Sequence, residues 1–328
     1  MERDADWDPE DDPALRTQFL RDLSQTIITY NDSPDIPFNA GINVYRGCEH
    51  GCSYCYARNT HEYLGFSAGL DFESKIMVKE NAPELLRREL SSPKWKPQML
   101  AMSGVTDCYQ PVERRLQLTR RCLAVLAEFR NPVCIITKNH LVTRDIDLLR
   151  ELAAHNAVVV NLSINSLDSE LARKLEPRAA CPKMRMAAVE ALAKADVPVG
   201  VLVAPIIPAL NDHEIPSVLA AVKAAGGRWA GMEIVRLPLT VAPIFLRWLE
   251  KNFPEKKDKV LNRIRAIRSG KLNDARFGSR MRGEGIFAEQ IYQIFDVARR
   301  KAGFSDDRTE VSTAAFRRPE GAQLGLGL

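Results

Sequence analysis

Residues 157–164 read Ala-Val-Val-Val-Asn-Leu-Ser-Ile, a run that is largely apolar on both faces of any strand it forms. A strand of this kind has no side for water, so it belongs in a parallel sheet covered by helices on both faces or closed around its own interior. Five more short apolar runs precede and follow it: 41–45, 98–102, 132–137, 198–204 and 229–235. Between them lie segments with helical spacing, at 82–90, 112–129, 144–155, 167–175, 183–195 and 213–225. Six βα units predict an α/β chain. It is either a partial (β/α)6 barrel, three quarters of a full closure, or a doubly wound open sheet. Past Pro238 the pattern is helical only, at 242–251, 257–269 and 285–302, which predicts a helical C-terminal extension.

At 328 residues and 45% hydrophobic, the chain can bury a core of that size. The expected division is an acidic, unstructured arm at 1–30, a barrel at 31–240, a basic helical extension at 241–304 and a flexible tail at 305–328. The longest apolar run, Val197 to Leu210, is broken by three prolines and is too short to span a membrane. The N-terminus is acidic and lacks the apolar stretch of a signal peptide. Seven cysteines, an odd number, fit reduced thiols, so the expectation is a cytoplasmic protein without a membrane partner.

Function in a parallel barrel gathers where the strands end. The first strand runs into Cys48, Cys52 and Cys55, spaced C-x3-C-x2-C, with Gly47 and Gly51 allowing a tight loop. Three close thiolates can hold a [4Fe-4S] cluster and leave one iron without a protein ligand, open for chemistry. Zinc is the alternative, with His50 or His61 as fourth ligand, although the usual paired zinc knuckles are absent. The other strand ends offer Ser103-Gly104-Val105-Thr106-Asp107, Thr137-Lys138-Asn139, Ser163-Ile164-Asn165-Ser166, Ala204 to Pro208, and Arg236.

Two strings carry a resemblance. Asn43-Val-Tyr-Arg-Gly-Cys-Glu-His-Gly-Cys-Ser-Tyr-Cys-Tyr-Ala-Arg58 and Ser103-Gly-Val-Thr-Asp-Cys-Tyr-Gln-Pro-Val-Glu113 are similar to the radical S-adenosylmethionine (radical SAM) superfamily, in its spore photoproduct lyase-like (DNA repair photolyase-like) branch. The resemblance runs from about Asn43 to Arg236 and favours the partial barrel. It implies that S-adenosyl-L-methionine chelates the open iron through its amino and carboxylate groups. Reductive cleavage then leaves a 5′-deoxyadenosyl radical that takes hydrogen from a substrate. It further implies an electron donor of the reductase, flavodoxin or ferredoxin type, and a lyase activity of the DNA repair kind.

Carried onto this sequence, the resemblance implies that Ser103, Gly104 and Val105 meet the cofactor's amino group and that Ser163 and Asn165 meet its ribose or carboxylate. Tyr54 and the segment Val203–Ile206 pack near adenine. For Ser163 and Asn165 the alternative is strand-end capping, and for Tyr54 a plain core aromatic. Lys138 ends a strand and is expected to face the cavity. Glu176, Arg178 and Arg185 form either a carboxylate–guanidinium set around the cofactor carboxylate or a structural salt bridge. Asp107 either binds substrate or caps a helix. Cys108 is the candidate hydrogen donor, against the alternative of an inert buried thiol. Cys122, Cys134 and Cys181 read as structural.

Residues 251–282 contain eleven Lys or Arg, and Arg276, Arg280 and Arg282 interleave with Phe277 and Met281. This is compatible with nucleic acid as partner through phosphate contact and base stacking, or with a solvated helix face. The reading set against an enzyme is a non-catalytic iron–sulfur or zinc-binding module.

Overall fold

The computed structural model describes residues 16–305 and 310–319. Ten strands occur among them: β1 Gln18–Arg21, β2 Ile28–Tyr30, β3 Ala40–Ile42, β4 Tyr45–Arg46, β5 Lys75–Val78, β6 Leu100–Met102, β7 Val133–Thr137, β8 Val158–Ser163, β9 Val199–Ile206 and β10 Ala230–Ile234. Strands β3, β6, β7, β8, β9 and β10 pair in parallel in that order, and β2 adds antiparallel to β3 at the edge. The two edges, β2 and β10, do not pair with each other. The fold is therefore the partial six-stranded βα barrel, open on one side.

Alternation along the strands separates two faces. On β8, Val158, Val160 and Leu162 are almost fully buried toward the helices, each worth roughly 1.5–3 kcal/mol of burial. The opposite face of β8 carries Val159, Asn161 and Ser163 into the barrel. There Trp229 Nε1 donates to Asn161 Oδ1 at 2.8 Å, and Asn161 Nδ2 donates to Cys134 Sγ at 3.4 Å. Gly200 makes room for this row, since a Cβ there would overlap the Trp229 ring.

Four expectations need correction. Residues 18–30 were read as part of the acidic arm, yet they supply β1 and β2. Ile27 and Ile28 are buried, and the Glu89 carboxylate takes both their N–H groups, at 2.7 and 3.2 Å. The acidic stretch before them lies outside the described residues. Second, the strand expected at 41–45 divides. β3 stays in the barrel sheet, whereas β4 leaves it to pair with β5 in a small sheet of order β1-β5-β4. Third, the single helix expected at 112–129 breaks at Gln117, which has φ 52°. The break lets buried Glu113 accept from Tyr45 Oη (2.5 Å) and Thr119 N (3.0 Å). Fourth, part of the expected flexible tail is docked. Ser312 N donates to Asn156 O at 2.8 Å, Arg317 N to Phe129 O at 2.9 Å, and the Phe316 ring lies 6.3 Å from that of Phe129.

The extension comprises helices at Val241–Asn252, Lys257–Ala266, Ser279–Arg282 and Ile286–Lys301. Val241, Phe245, Leu249, Val260, Leu261 and Ile264 join one apolar cluster with Cys52, Tyr54, Leu171, Leu175, Val235 and Leu237. The extension thus covers the cysteine loop rather than standing apart. No helix among the described residues is long and apolar enough to cross a membrane.

Gly200→Val places a branched side chain against Trp229 and Asn161 in the barrel interior. Overpacking of this kind costs about 1–3 kcal/mol. The check is chemical denaturation: a lower midpoint with an unchanged slope.

Candidate cluster and cofactor site

The cysteine loop is shaped by its glycines and strapped by arginines. Gly47 has φ 84° and Gly51 φ 68°, both left-handed. At Gly51 a Cβ would overlap Arg178 and Glu73. Cys48 N donates to Phe72 O at 2.9 Å, and Ser53 N to Leu175 O at 3.0 Å. Arg58, 2% exposed, donates to Cys52 O at 3.0 Å and to the carbonyls of Ala68 and Gly69. Its guanidinium meets Glu73 at 2.5 Å, and Arg178 binds the other Glu73 oxygen and the Glu49 carbonyl. One carboxylate therefore joins two guanidiniums that both grip the loop.

A second carboxylate lies on the barrel side. Glu176 is buried and accepts from Tyr54 Oη, from Arg185, and from Asn165 Nδ2 at 3.2 Å. Arg185 also donates to Ala180 O at 2.7 Å and to Ser163 O at 2.9 Å. Lys138 Nζ stands 6.0 Å from the centre of the Tyr54 ring. Burial pulls the Lys138 ammonium down, but Glu176 and Cys52 outweigh it, so the group is held above its ordinary value and stays charged. Asn211 Nδ2 ties the end of β9 to that of β8, donating to Asn165 O at 2.8 Å and Pro205 O at 3.1 Å. Asn165 Oδ1 is left buried without a partner.

The end of β6 is locked to the cysteine loop. Asn43 Oδ1 accepts from Gly104 N (3.0 Å) and Val105 N (3.1 Å), while Tyr56 Oη donates to Gly104 O at 2.7 Å. Thr106 Oγ1 donates to Gly47 O at 2.6 Å. Asp107 accepts from Thr137 Oγ1 at 2.7 Å and Lys138 N at 2.8 Å, and lies 3.4 Å from His50 Nδ1. Burial pushes the Asp107 carboxyl up, but His50, Thr137 and the Lys138 N–H together outweigh it and hold it at about 2. Asp107 is thus a tie between strand ends and loop.

The structure brings Cys48, Cys52, Cys55, Tyr54, Lys138, Ser163, Asn165 and Arg185 to one rim, with Ser103, Gly104 and Val105 beside them. Cys108 is not among them. Ser103 adopts φ 88°, its hydroxyl accepts from Cys108 N at 2.8 Å, and Thr119 Oγ1 donates to Cys108 O at 2.6 Å. These contacts turn Cys108 into the main core, 1% exposed, a placement that favours the inert-thiol reading over a hydrogen donor. Arg276 and Arg280 are each held by acids of this chain. Arg276 pairs with Asp274 and Glu284 (2.7 and 3.0 Å), and Arg280 with Asp35 (2.6 Å). Sequence reasoning missed Asn43, Tyr56, Arg58 and Glu73. Asn43, Tyr56 and Arg58 stand inside the cysteine string itself, which was the available signal. Glu73 had none.

The residues present fit the implied cofactors. The three thiols are free, burial pushes all of them up (Cys52 to about 12), and Asp107, Cys52 and Cys55 raise Cys48 further. Three such thiols deprotonate together only around a cation. No three His, Cys, Asp or Glu side chains among the described residues converge as a single-ion site requires, and a cubane, whose irons are separate atoms, does not ask for that. The unpartnered Asn165 Oδ1 and charged Lys138 suit an amino acid's ammonium and carboxylate.

Asp107 generates a pH prediction. Its folded value lies below the ordinary 3.8, so its contribution is present above about pH 4 and is lost as pH falls towards 2. The loss is on the order of 2 kcal/mol. Acid unfolding of wild type should steepen in that window, and Asp107→Asn should flatten the dependence while lowering stability at pH 7.

The superfamily model described as Radical SAM matches residues 42–222, more than half of the chain. An uncharacterized protein of Mycobacterium tuberculosis is 36% identical over 222 residues, covering 67% of this chain and 65% of that protein. An uncharacterized protein of Methanocaldococcus jannaschii is 30% identical over 222 residues, covering 68% and 79%. The chain thus spans about 65% of the length of the mycobacterial relative it matches. Among solved structures, spore photoproduct lyase complexed with dinucleoside spore photoproduct aligns with a TM-score of 0.64 at 15% identity, covering 87% of this chain and 79% of that one. That likeness is one of fold. With the cysteine loop at the open end of the six-stranded barrel, these matches show that the chain belongs to the radical SAM superfamily.

Proposed function

We propose that the protein is a radical SAM enzyme acting on nucleic acid, in the manner of a photoproduct lyase. The observation that carries the enzymatic half is the Glu176-centred set beside the three cysteines. Tyr54, Asn165 and Arg185 converge on one buried carboxylate, Asn165 keeps an unused acceptor, and Lys138 lies within electrostatic reach of the same carboxylate. A passive metal-binding module has no need of such a set. When bound, the cluster and S-adenosylmethionine supply an electron, a carbon–sulfur cleavage and a 5′-deoxyadenosyl radical.

This chain's own residues bind, orient and exclude water. Cys48, Cys52 and Cys55 would hold the cluster. Lys138 and Asn165 would hold the carboxylate and ammonium of the cofactor. The apolar cluster of Tyr54, Leu171, Ile207 and Leu237, closed over by Phe245, Leu249 and Val260, keeps solvent from the loop. Nucleic acid as substrate class is supported by the likeness of fold to a lyase seen with a dinucleoside.

Anaerobic reconstitution with iron and sulfide, followed by reduction and S-adenosylmethionine, should release 5′-deoxyadenosine. Ala at Cys48, Cys52 or Cys55 should abolish both the brown chromophore and the release. Asn165→Ala should keep the chromophore and weaken cofactor binding roughly tenfold, the loss of one hydrogen bond to a charged group. Protein that takes up zinc alone, with no iron or sulfide, would return the reading to a metal-binding module.

A further inference from the structure

We infer that Glu233 and Arg236, at the end of β10, form a recognition pair for the edge of a nucleobase turned into the open side of the barrel. The inference rests on nucleic acid being the substrate. Glu233 lies at an irregularity of β10: Gly231 pairs with Leu202 and Met232 with Val203, but the register then shifts, and Ile234, fully buried, pairs with Ile206. Both Glu233 and Arg236 lie within electrostatic reach of Tyr56, the residue after the last cluster cysteine. The pair therefore looks toward the cysteine loop.

The surroundings are fixed. Arg268, 1% exposed, donates to the carbonyls of Ile234 (3.3 Å) and Val235 (3.0 Å), and to those of Ser279 (3.2 Å) and Arg280 (2.7 Å). Arg236 Nη1 meets Met281 Sδ at 2.9 Å. Arg280 closes the wall through its 2.6 Å pair with Asp35, which also accepts from Gly278 N at 2.9 Å. Inside this frame, Glu233 Oε1 and Arg236 Nε are buried and have no hydrogen-bond partner. Buried polar atoms are rarely left this way, and an acceptor and a donor both left open, on residues within electrostatic reach of each other, ask for a ligand that offers the reverse.

A nucleobase edge offers it: an acceptor next to an N–H, in one plane. A base can reach the pair from a single strand, or extruded from a duplex. Burial pushes the Glu233 carboxyl up to about 7 against the pull of Arg236 and Arg268, so it can meet either a donor or an acceptor near neutrality. A phosphate is the other candidate for Arg236. Glu233 would repel it, and Arg276 and Arg280 are already neutralised by acids of this chain.

The test uses cluster-loaded protein under anaerobic conditions, without reductant. Fluorescence anisotropy measures binding of a labelled single-stranded thymidine ten-mer and of an abasic ten-mer with the same phosphates. Wild type should prefer the ten-mer with bases. Glu233→Leu and Arg236→Met should each weaken that binding about tenfold and leave the abasic affinity unchanged. Glu233→Gln, which keeps the acceptor oxygen, should recover most of the loss and guards against a folding defect in Glu233→Leu. Tighter binding of both strands by Glu233→Leu would show an anion site and overturn the inference. So would equal wild-type affinity for the two strands. Wild type that binds neither strand would overturn the nucleic-acid reading itself, a result separate from the release of 5′-deoxyadenosine.

Discussion

Three consecutive residues, Glu176-Pro177-Arg178, clamp the site. Glu176 takes Tyr54 from the cysteine loop, Asn165 from beyond β8 and Arg185 from the following helix. Arg178 reaches the other way, to the Glu49 carbonyl and to Glu73, which in turn holds Arg58. Every charge in this chain of contacts is at least partly buried, so each depends on its neighbour. Removing one partner of a buried pair typically costs about 3–5 kcal/mol, because the other is left uncompensated. A loop that must hold three thiols in place has little regular structure of its own, since β4 is two residues long. Its rigidity comes from the guanidiniums that take its carbonyls.

The parallel strands were legible because their signal is local, while the choice of a partial barrel over an open sheet came from the family resemblance. The run 157–164 is largely apolar whatever the rest of the chain does, and the same holds for the other parallel strands. The cysteine spacing was legible for the same reason. What was not legible depends on backbone turns or on distant partners. Cys108 follows Asp107 in sequence, and nothing in the residue types announces that Ser103 takes φ 88° and sends the thiol outward into the core. Arg276 and Arg280 read as free cations until Asp274, Glu284 and Asp35 are seen against them, the last far away in sequence. Residues 28–30 join the sheet because Glu89 takes the N–H groups of Ile27 and Ile28, a contact across about sixty residues.

The same distinction explains the extension and the tail. Helical spacing was clear at 242–251 and 257–269, so the helices were expected. Their docking partners were not, because the apolar stripe of a helix does not say what it packs on. Here it packs on Cys52 and Tyr54, and the extension becomes the outer wall of the cysteine loop. The docked tail carries almost no periodic signal: one aromatic ring against Phe129 and a few backbone hydrogen bonds.

The rim divides by how completely its polar atoms are satisfied. From β7 to β9 the strand ends are tied to each other: Asp107 to Thr137 and Lys138, Asn211 to Asn165 and Pro205, Arg185 to Ser163. A single buried acceptor, Asn165 Oδ1, is left over there. At β10, the edge strand, a buried carboxylate oxygen and a buried guanidinium nitrogen are both left over. A small ligand of constant shape suits a surface that is already built, with one or two open positions. A larger ligand that enters from outside suits the open edge, where β10 and β2 leave the barrel unclosed. On the proposed function, the first surface serves the cofactor and the second the substrate. The cysteine loop reaches both, Tyr54 through its bond to Glu176 and Tyr56 through its electrostatic reach to Arg236 and Glu233.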